Sequence, residues 1–256
     1  MTAPDALTRF STRVEDYIRY RPGYPAAVLE SLIREFGLRS AHEIADIGSG
    51  TGISAELFLR NGNGVYGVEP NAEMRGAAER LLADYPAFRS IAGKAEATTL
   101  PDASVEWVVA AQAFHWFDVD AARRESQRIL RPGGRAVLVW NNRRTDRAFL
   151  QEYEALIHCY AIDFAQINHE NAEADGRIDR FFDGHYEQRR FANAQVFDFD
   201  GLRGRVTSSS YMPNVEHPSF EAVIADLRRL FDRHAEGGRV RFDYDTKLWV
   251  GAPSPT

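Results

Sequence analysis

The chain has 256 residues, 44% of them hydrophobic and 27% charged, which is enough to bury a sizeable core and excludes wholesale disorder. A formal charge of −6 disfavours a partner gripped through phosphates, so no nucleic acid partner is expected. One cysteine, Cys159, and seven histidines without HxxxH or HExxH spacing argue against a disulfide and against a metal site. The longest weakly charged stretch, 105–117, is too short to cross a bilayer, and the opening MTAPDALTRF lacks a secretory pattern, so a cytoplasmic protein is expected. The sequence does not fix the oligomeric state.

Taken in order, the pattern is α/β throughout. Thr12 and Glu15 have capping-box spacing for a short helix ahead of Arg21-Pro22-Gly23. Pro25 suits the start of a second helix whose Val28, Leu29, Leu32, Ile33 and Phe36 share a face and which meets Gly37. A strand at 43–47, a glycine loop at 48–52 and a helix from Ile53 to about Arg60 follow, then a strand at 65–69 and a helix capped by Asn71. Strands are expected at 88–92 and 107–111, a polar helix at about 121–130, a turn at Arg131-Pro132-Gly133-Gly134 and a strand at 136–140. Phe149, Leu150, Tyr153, Leu156, Ile157 and Tyr160 mark another helix, residues 163–190 read as polar and irregular, and 195–199 as a strand. Phe220 to Phe231 reads as a long helix, and 240–250 alternates as a final strand. No composition break divides the chain, so one domain is expected: lid helices at 1–40, a core at 41–142, a helical insertion at 143–216 and a closing helix and strand at 217–256.

The densest signal is Asp46-Ile47-Gly48-Ser49-Gly50-Thr51-Gly52, a strand running into alternating glycines and a helix. Glycines there allow sharp turning and close approach of a ligand, and a helix N-terminus offers unpaired N–H donors. Glu69 ends the next strand, where a carboxylate can accept from both hydroxyls of a ribose. A plain turn and a solvated strand-end carboxylate are the bland alternatives. A dinucleotide fingerprint would place its third glycine where Ile53 stands, which counts against an NAD-linked oxidoreductase.

With Asp46, Gly52 and Glu69, the segment GKAEATTLPDAS at 93–104 and RPGG before the fifth strand make the chain resemble the class I S-adenosylmethionine-dependent methyltransferases, across roughly residues 40 to 142. YRPGYP at 20–25, AAQAFHWFD at 110–118 and SSSY at 208–211 resemble the small-molecule branch that includes trans-aconitate methyltransferases and UbiE-type enzymes. The resemblance implies a Rossmann-like, seven-stranded, mostly parallel sheet with helices on both faces and a helical lid, S-adenosylmethionine as cofactor, and methyl transfer to a carboxylate, hydroxyl or activated carbon. A non-catalytic S-adenosylmethionine-binding protein is the other alternative.

On this resemblance Asp46 holds the methionine ammonium, Gly48, Ser49, Gly50, Thr51 and Gly52 pass beneath methionine and ribose, and Glu69 takes the ribose hydroxyls. Pro70 packs on adenine, Ala95 and Glu96 meet its edge, Gln112 lines the methionine side, and Arg21 pairs with the methionine carboxylate. Related enzymes often carry an aspartate where Lys94 stands, so the adenine amino contact falls to Glu96 or is absent. His115, Trp116 and Phe117 follow the fourth strand, where open α/β sheets place ligands. His115 is the candidate base; Tyr20, Trp116, Trp140 and Tyr211 are candidates for the acceptor pocket, with Tyr17 and Tyr24 in the lid, although each aromatic is equally at home in a core. The leading segment, residues 10–24, is expected to be mobile until cofactor docks it.

Overall fold

The computed structural model describes residues 19–162, 176–209 and 211–253. Helix α1 (Ala26–Phe36) starts after Pro25, buries Val28, Leu32 and Phe36 at four-residue spacing, and ends at Gly37, whose φ of 76° only glycine adopts without strain. Strand β1 (Glu43–Ile47) then enters the middle of the molecule, nearly every residue buried. The neighbouring units follow in turn: α2 (Ile53–Leu59), β2 (Gly64–Val68), α3 (Ala72–Leu81) and β3 (Phe88–Ile91) on one side, then β4 (Val105–Ala111), α4 (Val119–Ile129) and β5 (Leu130–Arg143) on the other. The second part adds α5 (Ala148–Tyr160), α6 (Arg177–Phe182), β6 (Tyr186–Phe197), α7 (Phe199–Thr207), α8 (Phe220–His234) and β7 (Val240–Gly251).

The seven strands stand in the order β3-β2-β1-β4-β5-β7-β6. β1 pairs in parallel with β2 and β4, whereas β7 runs antiparallel between β5 and β6. Strand order reverses between β1 and β4, so a crevice opens at their carboxyl ends. Two buried clusters cover the faces of the parallel part, one around Ile47, Val108, Phe114 and Trp140, the other around Leu32, Ile44, Phe58 and Val137. A third lies under α5, α7 and α8, around Tyr153, Leu227 and Phe242.

The expected elements from Pro25 to the fourth strand are present, with Asn71 accepting from the Met74 amide as the cap of α3, while the expected capping box at Thr12 and Glu15 lies outside the described residues. Four readings change, the first being that the stretch 163–190, read as irregular, holds α6 at Arg177–Phe182. The polar helix begins at Val119 because Asp118 caps it, its carboxylate accepting from the Ala121 amide at 3.0 Å. Arg131-Pro132-Gly133-Gly134 lies inside β5 rather than before it: Val105 pairs with Leu130 and Trp107 with Arg135, so these four residues bulge out of the ladder, with Gly133 at φ 80°. β6 begins at Tyr186, nine residues before the expected strand, because its exposed edge position leaves polar Glu187 to Arg190 where a buried strand would be apolar. Tyr17, Ser210 and the leading segment up to residue 18 lie outside the described residues.

Candidate cofactor and acceptor site

The loop between β1 and α2 is folded by its glycines. Gly48, Gly50 and Gly52 have φ of 69°, 57° and 88°. Gly48 and Gly52 are also close-packed: a Cβ would lie 2.5 Å from the Ala113 Cβ and 2.6 Å from Leu82 Cδ1 respectively. Gly50 differs, since its Cβ would meet only Met74 Cε, at 3.6 Å, and otherwise open space. The loop is pinned to β2 by the Gly48 and Ser49 amides, which donate to the Val68 carbonyl at 2.8 and 3.2 Å.

Asp46 is fully buried beneath this loop. Its Oδ2 accepts from Ser54 Oγ at 2.7 Å, while Oδ1 is buried without a hydrogen-bond partner among the described residues. Burial pushes its carboxyl up to about 7, with the Ser54 hydroxyl opposing, Glu69 adding repulsion and the Ala55 amide also pulling it down. Thr51 Oγ1 is a second buried oxygen of the loop without a partner among the described residues. A buried carboxylate oxygen left unmatched is costly unless something bearing N–H or O–H donors meets it.

Glu69 lies at the end of β2. Its Oε2 accepts from the Gly50 amide at 3.0 Å and its Oε1 from the Asn71 amide at 2.9 Å, leaving one lone pair on each oxygen for a pair of hydroxyls. Burial raises its carboxyl above the ordinary value against the pull of these amides and of Arg75. Arg75 Nη1 donates to the carbonyls of Glu69 and Pro70, both at 2.9 Å, and fixes the exposed Pro70 ring beside the carboxylate. Beyond β3, Ala95 is buried in a tight turn closed by the Lys94 and Ala97 pairing. Lys94 is exposed, and Glu96 Oε1 accepts from the Asp118 amide at 2.9 Å, joining this turn to the loop after β4.

On the β4 side, Gln112 has a positive φ of 55°, uncommon for a residue with a side chain and a feature that gathers at functional sites. Its Oε1 accepts from the Asn141 amide at 2.8 Å. Asn141, which the sequence reading passed over, joins the site together: Nδ2 donates to the Gly23 carbonyl at 3.1 Å, and Oδ1 accepts from Thr246 Oγ1 at 2.5 Å and from Asn193 Nδ2 at 3.2 Å. Its only sequence signal is a polar pair, Asn141-Asn142, at the end of an apolar strand. Ser54, also unanticipated, sits in the first turn of α2, eight residues after Asp46.

His115 and Trp116 form a one-turn helix after β4, their rings 4.7 Å apart, with the His115 ring 6.0 Å from Trp140. Trp116 is 38% exposed, so its ring is not part of the core. Trp140 is buried edge-on against Phe114 and Trp249, which is a packing role, although its Nε1 has no hydrogen-bond partner among the described residues. Tyr20 and Arg21 approach from the other side. The Tyr20 carbonyl accepts from Gln195 Nε2 and Arg21 Nη2 donates to the Ser208 carbonyl, each at 3.2 Å. Tyr211 is buried nearby in the third cluster. The described part of the leading segment is thus tied to β5, β6 and α7.

Residues 45–138 match the family described as a methyltransferase domain. An uncharacterized methyltransferase-like protein of Schizosaccharomyces pombe is 32% identical over 97% of both chains. The chain belongs to the class I S-adenosylmethionine-dependent methyltransferases. An uncharacterized methyltransferase of Mycobacterium tuberculosis is 36% identical over 153 residues, and there the match spans 60% of either protein. Among solved structures, the YcgJ protein of Bacillus subtilis superposes with a TM-score of 0.58 at 22% identity, covering 91% of this chain and all of that one, which supports the fold. A Haemonchus contortus N-methyltransferase whose structure holds S-adenosylhomocysteine gives 0.54 at 16% identity, over 96% of this chain and 58% of that one. As a class I methyltransferase the chain is expected to use S-adenosylmethionine, and no helix among the described residues is long and apolar enough to cross a membrane.

Proposed function

We propose that this methyltransferase moves a methyl group from S-adenosylmethionine to a small-molecule acceptor, within the branch its YRPGYP and AAQAFHWFD segments resemble and in the cytoplasm. The observation that carries the cofactor assignment is Asp46 Oδ1, a buried carboxylate oxygen without a hydrogen-bond partner among the described residues, under the glycine loop. An ammonium group meets that need with both charge and donors. Glu69 has one lone pair per oxygen left for two ribose hydroxyls after serving the Gly50 and Asn71 amides, and Pro70 offers an exposed ring face for a base. The space over Gly50 accommodates a ligand where a side chain would stand. Ala95 and Glu96 border the base, while Gln112 and Arg21 border the amino-acid end.

When bound, S-adenosylmethionine supplies a methyl group already activated on a sulfonium. What remains for the chain is alignment and exclusion of water. Trp116, Tyr20 and Tyr211 wall the acceptor side, and His115 takes a proton where the acceptor has one to lose. The test is a thermal-shift and titration comparison of S-adenosylmethionine, S-adenosylhomocysteine and NADH, followed by an acceptor screen that reads out S-adenosylhomocysteine. Saturable stabilisation by the first two supports the reading; stabilisation by NADH alone overturns it. S-adenosylmethionine binding without product in any acceptor class favours a binding protein instead.

A further inference from the structure

Two guanidiniums are buried beneath the third cluster, at the carboxyl end of β5 and on α7. Arg143 ends β5, pairs with Glu154 and stands 4.8 Å over the Tyr153 ring. Arg205, on α7, is 5% exposed and has no carboxylate partner among the described residues. Its Nη1 donates to Ser209 Oγ at 3.1 Å, and its head hydrogen-bonds the phenol of Tyr244, which in turn donates to Gln195 Oε1 at 2.9 Å. Arg143 Nε, Arg205 Nε and the Tyr153 hydroxyl are all buried without a hydrogen-bond partner among the described residues.

The charge here does not balance. Among the described residues, Arg143 and Arg205 bring two positive charges against the single carboxylate of Glu154. A guanidinium cannot shed its proton to escape burial as a lysine can, so the surplus is removed only by bringing in an anion. The Tyr211 phenol registers the imbalance: burial raises it, but Arg143, Arg205 and Arg21 outweigh burial and bring it below its ordinary value. A chain of hydrogen bonds runs from the end of β4 toward the cluster. Gln112 holds Asn141, Asn141 holds Gly23, and Arg21, two residues earlier, reaches the Ser208 carbonyl just past α7.

We propose that Arg143 and Arg205, with the Tyr153 hydroxyl as a further donor, form a subsite for an acidic group of the methyl acceptor, a carboxylate or a phosphate. This rests on the methyltransferase reading and narrows its acceptor class. The planar guanidinium fork suits either oxyanion, and Tyr153 adds a donor that carries no charge of its own.

The test titrates the full chain, saturated with S-adenosylhomocysteine, with succinate, with the neutral isostere succinamide and with inorganic phosphate at constant ionic strength. Saturable binding of succinate or phosphate but not succinamide is expected, and whichever anion binds tells the carboxylate from the phosphate acceptor. Arg205→Met is expected to weaken that binding at least tenfold, to retain S-adenosylhomocysteine binding, and to melt no lower than wild type in anion-free buffer, because it removes an uncompensated buried charge. Arg205→Lys, which keeps the charge and loses the fork, is the second variant should the first not fold, and it too is expected to weaken the anion. Binding of neither anion, equal binding of succinamide, or undiminished anion binding by the variant that folds overturns the proposal. Failure of wild type to bind S-adenosylhomocysteine would instead strike the methyltransferase reading, and would be seen in the first titration, before any anion is added.

Discussion

Replacing Asp46 by asparagine tests the cofactor site through stability and affinity at once. The carboxyl titrates near 7 in the folded protein against 3.8 for an unburied aspartate. Between these values the folded chain keeps a proton that the unfolded chain has released, so stability falls as pH rises through this window and levels off above it. About three pKa units correspond to about 4 kcal/mol. Asp46→Asn has nothing to titrate, so relative to wild type it gains roughly that amount between pH 4 and pH 8, offset at every pH by about 1 to 3 kcal/mol for an amide N–H₂ facing the site of the unpaired oxygen. The Ser54 hydroxyl can still donate to the amide oxygen. Urea unfolding of the cofactor-free proteins at both pH values measures the difference. Wild-type affinity for S-adenosylhomocysteine should also strengthen by about tenfold from pH 6 to pH 8 as the carboxyl ionises, a dependence absent from the variant. A stability difference that stays flat with pH, or an affinity that the substitution changes by less than about fivefold, refutes the reasoning.

Glu69→Gln keeps an acceptor for one backbone amide but loses the charge and is expected to weaken cofactor binding by more than fivefold in calorimetric titration, with the fold retained. Gly50→Ala costs only about 1 to 2 kcal/mol of left-handed strain in denaturant unfolding, and the open space above it means the larger effect is on cofactor affinity; Gly52→Ala adds a collision with Leu82 and is expected to be the less stable of the two. Glu125 accepts from the Thr98 amide and hydroxyl and from Arg128, and the Arg128 hydrogen bond with these others holds its carboxyl down to about 2. Its folded value lies below 4.5, so that stability is present above this pH and lost as pH falls toward 2, and Glu125→Gln should remove roughly 2 to 3 kcal/mol at pH 7 with little effect at pH 2.

The parallel half was legible because its signals are local: Asn71 and Gly37 mark helix ends by residue type, and Asp46, Gly48 to Gly52 and Glu69 sit within one strand-loop-helix-strand unit. The antiparallel half was less so. β6 is an exposed edge, so no apolar alternation announces Glu187 to Arg190, and the RPGG bulge reads as a turn because its glycine needs are those of a turn. Asn141 was invisible for a different reason. Its partners, Gly23, Gln112, Asn193 and Thr246, come from four separate stretches of chain, and no spacing in a sequence records such a meeting. Arg143 on β5 and Arg205 on α7 likewise come from distant stretches and share their action on Tyr153.

The place of β7 also bears on how the protein is made. Among the described residues it is the last strand in chain order, yet it sits between β5 and β6 and is the only sheet neighbour of β6. Until residues 240–251 leave the ribosome, β5 carries an open edge and β6 has nothing to pair with, so a nascent chain that already holds the whole glycine loop still exposes two unpaired strands to its neighbours. Thr246, whose hydroxyl meets Asn141, arrives on that same strand. Completion of the sheet therefore waits for β7, and a chain stalled before it leaves two strand edges open to aggregation.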